Sequence, residues 1–406
     1  MLKNLHIPKN GCTFVAVNAL SVKHSAYMQG KYTFYMQEQA SFSLSHDSRH
    51  LPYSHRRSLF ADYKGRGIYL ITLCVEGRKA LLGSLHGATA EQACVIPSPL
   101  GRSVIELLLG IPAYQQRKAE EKRLASGMDI KREIQILAYQ LMPDHLHVIL
   151  FVRQEMDISI GEVLRGFMIM CTKACYTLGI YAETSTGKQP LWEKGYHDRR
   201  LSGKGQLQAM IDYVHDNPRR LFLKHQNAGL FTIKHAISKA GYNFDAMGNM
   251  QLLNKPLYAV HVRSRFSPDE RKAYMNTCIL EARKGKILVG AFISDYEKQV
   301  KTVALHEGFS IIQLSPLPFS AYYKPSGELF DLCAAGRLLL LYQISLSASP
   351  ESVKPSASPE SVSSSAYMPR AQQNPYWQTQ RRISRAECVA LNAIAEGLAS
   401  TSSNTK

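Results

Sequence analysis

Between about Arg56 and Leu230 the apolar positions fall into short dense runs and longer periodic ones. Gly67 to Glu76 (GIYLITLCVE) is a β-rich apolar run and predicts a buried strand, with Lys79 to Leu85 (KALLGSL) as its hairpin partner. Ser103 to Lys118 has helical spacing despite Pro112. Glu133 to Leu141 reads as a strand, Met142-Pro143-Asp144 as a turn, and His145 to Val152 (HLHVILFV) as the returning strand. Ile160 to Leu178 predicts an amphipathic helix. Leu207 to Asp216 predicts another, ended by Asn217-Pro218. This order predicts an antiparallel sheet with helices on one face, an α+β class.

A second run of elements extends from about Asn254 to Ser345. Strands are predicted at Leu257–Val262, Lys286–Ile293, Ser310–Leu314 and Arg337–Ile344, and helices at Pro268–Lys284 and Asp295–Glu307. Strands alternating with helices of this length indicate a smaller α/β, mostly parallel, Rossmann-like domain. Residues 1–55 have weak periodicity and read as a poorly defined N-terminal extension. After Ser345 the heptapeptide SASPESV occurs twice, at Ser347–Val353 and Ser356–Val362. That composition predicts a disordered Ser/Pro linker over 346–380. A short helix follows from Ile383 to Leu398. The domains expected are therefore 1–55, 56–235, 250–345, 346–380 and 381–400.

Charge narrows the functional classes. The 406 residues carry a formal net charge of +17 and a pI near 9.4, which favours an anionic partner, nucleic acid first and an acidic membrane surface second. From Leu51 to His235, 25 Lys and Arg stand against 17 Asp and Glu. The eight cysteines are scattered without a CxxC pair, so neither a disulfide framework nor a cysteine zinc site is indicated. With no signal-peptide pattern and no run long enough to span a bilayer, a cytoplasmic, nucleoid-associated protein that does not enter membranes is expected.

His145-Leu146-His147 lies on a predicted strand. Alternation puts both imidazoles on one face, where they can ligate one metal ion, and Leu146 on the other. With 14 histidines in the chain, such a pair also arises readily by chance, and two surface histidines on a sheet is the plainer alternative. Tyr213 and Asn217 are four apart on a predicted helix and share a face. The tyrosine can attack a phosphodiester and the amide oxygen can reach a metal, or the ring can simply pack in a core beside an Asn-Pro helix stop.

Read together and in order, LMPDHLHVILFV, LWEKGYHDRR (Leu191–Arg200) and MIDYVHDNPRR (Met210–Arg220) resemble the single-tyrosine HUH transposases, and among them the REP-associated tyrosine transposases. The likeness covers about 175 residues. Asp144 stands where that family usually has Asn in the turn. The resemblance implies a ferredoxin-like HUH nuclease fold, commonly dimeric. It also implies His145, His147 and Asn217 as ligands of a divalent cation, Tyr213 as nucleophile, and hairpin-containing or palindromic single-stranded DNA as substrate. Imidazole ligands make Mn²⁺ as reasonable as Mg²⁺.

Covalent attack by tyrosine would store the phosphodiester as a 5′-phosphotyrosine that a 3′-hydroxyl can later reverse, so cleavage and rejoining need no ATP. Arg199, Arg200, Arg219 and Arg220 are candidates for phosphate contact and Trp192 for base stacking. A DNA-binding or regulatory protein with a lapsed site, and a zinc-dependent hydrolase using Asp144, are the rival readings. The stretch VGAFISDYEKQVKTVALHEGFSIIQLSP resembles the Rossmann-like domain of the DNA-processing protein A family. The following loop, Tyr322 to Glu328, is polar, but there is no GxGxxG and no P-loop to support a bound nucleotide.

Overall fold

The computed structural model describes residues 62–181, 189–263, 265–320, 323–344 and 383–403. The expected N-terminal extension, the Ser/Pro linker and Tyr322 lie outside the described residues. The chain divides into two compact units after Phe222.

The first unit contains β1 (Gly67–Cys74), β2 (Gly83–His86), β3 (Cys94–Pro97), α1 (Pro99–Ser126), β4 (Ile134–Met142), β5 (His145–Val152), α2 (Ile160–Thr177), β6 (His197–Leu201) and most of α3 (Gln206–Gln226). The main sheet has the order β4-β5-β1-β6, and all its neighbours are antiparallel. The expected pairing of Lys79–Leu85 with the first strand does not occur. β1 is flanked by β5 on one side and β6 on the other, so no edge is left, and β2 pairs with β3 instead. The chain leaving β1 crosses the β4–β5 turn, where Val75 N–H donates to the Asp144 carbonyl and Leu82 N–H to that of Pro143.

The two faces of this sheet follow the two-residue period of its strands. Tyr69, Ile71 and Leu73 of β1, with Leu146, Val148 and Leu150 of β5, pack against α1 (Val104, Leu108) and α2 (Leu164, Phe167, Cys171). On the opposite face Ile68, Leu70, Ala138, Ile149 and Leu201 pack against Met210, Ile211 and Val214 of α3. The expectation of helices on one face is therefore corrected: α3 covers the other. A β-bulge between Ile136 and Ala138 shifts which residues of β4 face each side. α2 starts on a capping box, Ser159 with Glu162, and α1 starts on Ser98 with Pro99 at its first position.

α3 does not stop at Asn217-Pro218, as the sequence predicts, but runs on to Gln226. Pro218 has no N–H to give the carbonyl of Val214 four residues back. The Asn217 side chain fills the gap: its amide nitrogen donates to the carbonyls of Tyr213 (2.7 Å) and Val214 (3.3 Å).

The second unit holds β7 (Lys234–Lys239), β8 (Tyr242–Gly248), β9 (Leu257–Ala259), α4 (Pro268–Arg283), β10 (Ile287–Gly290), α5 (Asp295–His306), β11 (Ile311–Leu314), α6 (Glu328–Ala334), β12 (Leu338–Gln343) and α7 (Arg385–Ser403). Its sheet has the order β7-β8-β12-β11-β10-β9. β9 to β12 are parallel, and β8 joins β12 antiparallel. Both faces are buried. Leu288, Ile311, Leu338 and Leu340 face Cys278, Ala304 and Cys333 of α4, α5 and α6, while Val289, Ile312, Leu339 and Leu341 face Leu391, Ile394, Ala395 and Leu398 of α7. The C-terminal helix is thus part of this core.

Candidate functional site

The site stands on the α3 face of the first sheet. β5 begins at His145, directly after the turn from β4, and its alternation turns His145 and His147 to that face while Leu146 is wholly buried on the other. Antiparallel register places residues of four strands in one row: Gln140 opposite His147, His147 opposite Thr72, and Thr72 opposite His197. Directly opposed residues in such a ladder share a face.

Each histidine is held by a partner on Nδ1. The His147 ring, only 6% exposed, has Nδ1 2.8 Å from Thr72 Oγ1. His145 Nδ1 lies 2.6 Å from Asp144 Oδ1, and Arg78 reaches the other Asp144 oxygen at 3.3 Å. Burial works against the Asp144 carboxylate, but the hydrogen bond with His145 and the nearby charges of His145 and Arg78 more than offset it, leaving the carboxyl below its ordinary value. In the tautomer that donates from Nδ1 to Thr72 and Asp144, Nε2 of each ring is the nitrogen that carries the lone pair.

α3 brings the tyrosine to this pair. The rings of His145 and His147 are 4.7 Å apart and nearly perpendicular, and the Tyr213 ring is 5.8 Å from that of His147. The Arg220 guanidinium sits 5.8 Å from the centre of the Tyr213 ring. Asn217 is one helical turn beyond Tyr213. Its amide nitrogen is turned back to the helix backbone. Among the described residues no cluster of three or more His, Cys, Asp or Glu could hold a metal ion. The candidate set here has an amide as its third member.

The remaining sequence candidates separate. Arg199 pairs in register with Leu70 and shares the site face, whereas Arg200 pairs with Tyr69 on the other and donates to the Arg66 carbonyl. Arg219 is paired with Asp216 through both carboxylate oxygens. Trp192 is 2% exposed and packs on Phe167 with ring centres 6.3 Å apart, so its ring belongs to the core and is not available to stack on a base. The surrounding WEKGYHD segment has a structural explanation. Trp192 bridges Val75 beyond β1, Gly195 turns the chain at φ 86°, Tyr196 lies against the core, and Asp198 accepts the Tyr63 hydroxyl at 3.1 Å. Thr72 and Arg78 were not legible as site residues, because only the strand register and the β4–β5 turn bring them to the histidines.

No protein-family profile matches the chain, and no curated protein does. Among the solved structures similar over part of it are two transposases. One is a REP-associated tyrosine transposase bound to a REP hairpin, 15% identical, over 40% of this chain and 72% of that one, with a TM-score of 0.25. The other is a candidate transposase from Deinococcus radiodurans R1, 13% identical, over 40% of this chain and 96% of that one, with a TM-score of 0.23. At this distance, the site's chemistry rests on the chain's own geometry. No helix among the described residues is long and apolar enough to cross a membrane.

Proposed function

We propose that the first unit is a metal-dependent, single-tyrosine transposase domain that cleaves and rejoins single-stranded DNA carrying hairpins or palindromic repeats. The observation that carries this reading is the convergence of Tyr213 with His147 and His145 on one sheet face, from two elements far apart in sequence.

The donor set fits a divalent cation. Two Nε2 lone pairs and the Asn217 oxygen supply borderline and hard ligands suited to Mn²⁺ or Mg²⁺, with positions left over for phosphate oxygens. When bound, such an ion polarises the scissile phosphate and stabilises the leaving 3′-oxygen. Thr72 and Asp144 keep the imidazoles in the ligating tautomer. Tyr213 Oη gives up its proton as it attacks phosphorus; the new O–P bond forms as the bond to the 3′-oxygen breaks, and the 3′-oxygen takes up a proton and leaves as a hydroxyl. Arg220 lies over the Tyr213 ring, 5.8 Å from its centre. The 5′-phosphotyrosine keeps the phosphodiester energy, so a 3′-hydroxyl can return and close the strand. Arg199 and Arg220 lie where they can meet the DNA backbone, and a homodimer beside the nucleoid completes the reading. The Asp144 carboxylate is engaged with His145 and Arg78, which favours an orienting role for it over that of a hydrolytic base. The second unit is read as a fused module, akin to the DNA-processing protein A domain, that helps hold DNA or a partner.

The test is cleavage of an end-labelled single-stranded hairpin with Mn²⁺, comparing wild type with Tyr213→Phe. The reading expects cutting by wild type alone. Cutting by Tyr213→Phe defeats the tyrosine mechanism, and hairpin binding by wild type without cutting marks a lapsed, DNA-binding protein.

A further inference from the structure

We propose that the groove between α2 and residues 190–196 is a second binding surface of the first unit, which holds single-stranded DNA; this rests on the reading of that unit as a DNA-cleaving domain. The groove measures about 910 Å³. One wall is a stripe of α2 made by Arg165, Thr172, Lys173 and Tyr176. These positions are 0, 7, 8 and 11 residues along and therefore line one side of the helix. The stripe is adjacent to the one that α2 buries against the sheet (Leu164, Phe167, Cys171, Cys175). The other wall includes Lys194 and Tyr196.

Two properties select a nucleic-acid strand as the occupant. The groove presents Arg165, Lys173 and Lys194, and none of the described residues lining it carries a carboxylate, so its charge is complementary to a phosphate chain. Tyr176 and Tyr196 supply ring surface, and Ile169, 51% exposed, adds apolar surface on the same wall. Cations interleaved with rings and apolar side chains are what an unpaired strand engages, through its backbone and its base faces together.

The walls are fixed before any ligand arrives. Tyr176 donates its hydroxyl to the Gln189 carbonyl at 3.2 Å, and Leu191 N–H donates to Thr172 Oγ1 on α2, also at 3.2 Å. Glu193 N–H donates to the Cys74 carbonyl at the end of β1. A preformed groove loses little conformational freedom on binding.

The experiment measures binding by fluorescence anisotropy on the full chain carrying Tyr213→Phe, without added metal, with and without Arg165→Glu/Lys173→Glu/Lys194→Glu. The probes are a labelled oligo(dT) of about twenty nucleotides and a labelled blunt hairpin, since stacking grooves tolerate any base. Loss of three phosphate contacts should weaken oligo(dT) binding at least about tenfold and cut the slope of log K against log salt by about 2, at roughly 0.7 per phosphate. The blunt hairpin should change by less than about twofold. Unchanged oligo(dT) affinity and slope overturn the proposal, as does an equal loss for both probes. If the triple variant does not melt cooperatively by circular dichroism, Lys173→Gln/Lys194→Gln is judged by the same criteria with about two-thirds of the slope change. Neither cleavage nor metal enters the assay, so failure of the tyrosine mechanism leaves this result standing, and the reverse.

Discussion

Thr72→Val probes the support of the candidate metal ligands with little change in shape. Thr72 faces His147 across the β1–β5 ladder, and its hydroxyl is 2.8 Å from Nδ1 of a ring that is 6% exposed. Valine fills the same volume and suits a strand, but it removes the hydroxyl that meets this buried ring nitrogen. The stability cost of losing such a buried partner is about 1–3 kcal/mol, and each kcal/mol lowers the melting temperature of a domain of this size by roughly 2–4 °C. The ring also loses the bond that sets its tautomer and orientation, and removing such an outer partner typically weakens metal binding about 10–100-fold. The assay is isothermal titration of the full chain with Mn²⁺, alongside Thr72→Ser, which keeps the hydroxyl. Wild type and Thr72→Ser should bind within a few-fold of each other, and Thr72→Val should fall below both. If valine and serine variants bind Mn²⁺ equally tightly, the hydroxyl does not support a ligand and the reasoning fails.

Other substitutions separate structure from chemistry. Asn217→Ala removes the donor that serves the Tyr213 and Val214 carbonyls beside Pro218 and should both lower the melting temperature and abolish tight Mn²⁺ binding. Asn217→Asp keeps the oxygen without the donor, so it should melt low yet still bind Mn²⁺, and equal loss of binding by both variants contradicts the ligand role. Asp157 is held by Arg132 through two 2.6 Å bonds and by Lys122 at 3.0 Å; the Arg132 hydrogen bonds chiefly hold its carboxyl far below the usual carboxylate range. A depressed folded-state value stabilises the protein above the unfolded value of about 3.9 and ceases to as pH falls. The urea midpoint of wild type should therefore exceed that of Asp157→Asn by a constant amount from about pH 5 to 8, with the gap shrinking below about pH 4; a gap that holds in acid refutes the pairing. Gly101→Ala would put a Cβ 1.9 Å from the Leu82 carbonyl oxygen, so the start of α1 must move. The expected cost is about 1–3 kcal/mol, and a variant melting like wild type would show that the approach is looser than drawn.

β5, which carries His145 and His147, was readable because it is buried on both faces and runs almost without a polar break, and β1 because it is an apolar run whose burial alternates. β6 was not. Its sequence HDRRL has one buried residue, Leu201, and it is a strand only because β1 offers it an edge. β7, KHAISK, is a charged edge strand of the same kind in the second sheet. The run of α3 through Pro218 was hidden because it depends on a side chain that replaces the lost backbone donor. Within the site, the two-residue period was enough to put His145 and His147 together, and the four-residue spacing put Asn217 beside Tyr213. Which way Tyr213 faces was not a local property. It follows from α3 docking on the sheet face opposite α1 and α2, set by Met210, Ile211 and Val214 against Ala138 and Ile149. Trp192 illustrates the converse: in the sequence it stands in a basic, DNA-like context, but it is used to anchor the segment that leads into β6.

The central claim is that Tyr213 becomes covalently joined to DNA. Wild-type protein is incubated with a single-stranded hairpin oligonucleotide and Mn²⁺, digested with nuclease and protease, and the peptides are read by mass spectrometry. The account predicts a phosphodiester-linked nucleotide on the peptide containing Tyr213, absent when EDTA is present. A cleaved oligonucleotide with Tyr213 unmodified, or an adduct on another tyrosine, contradicts it.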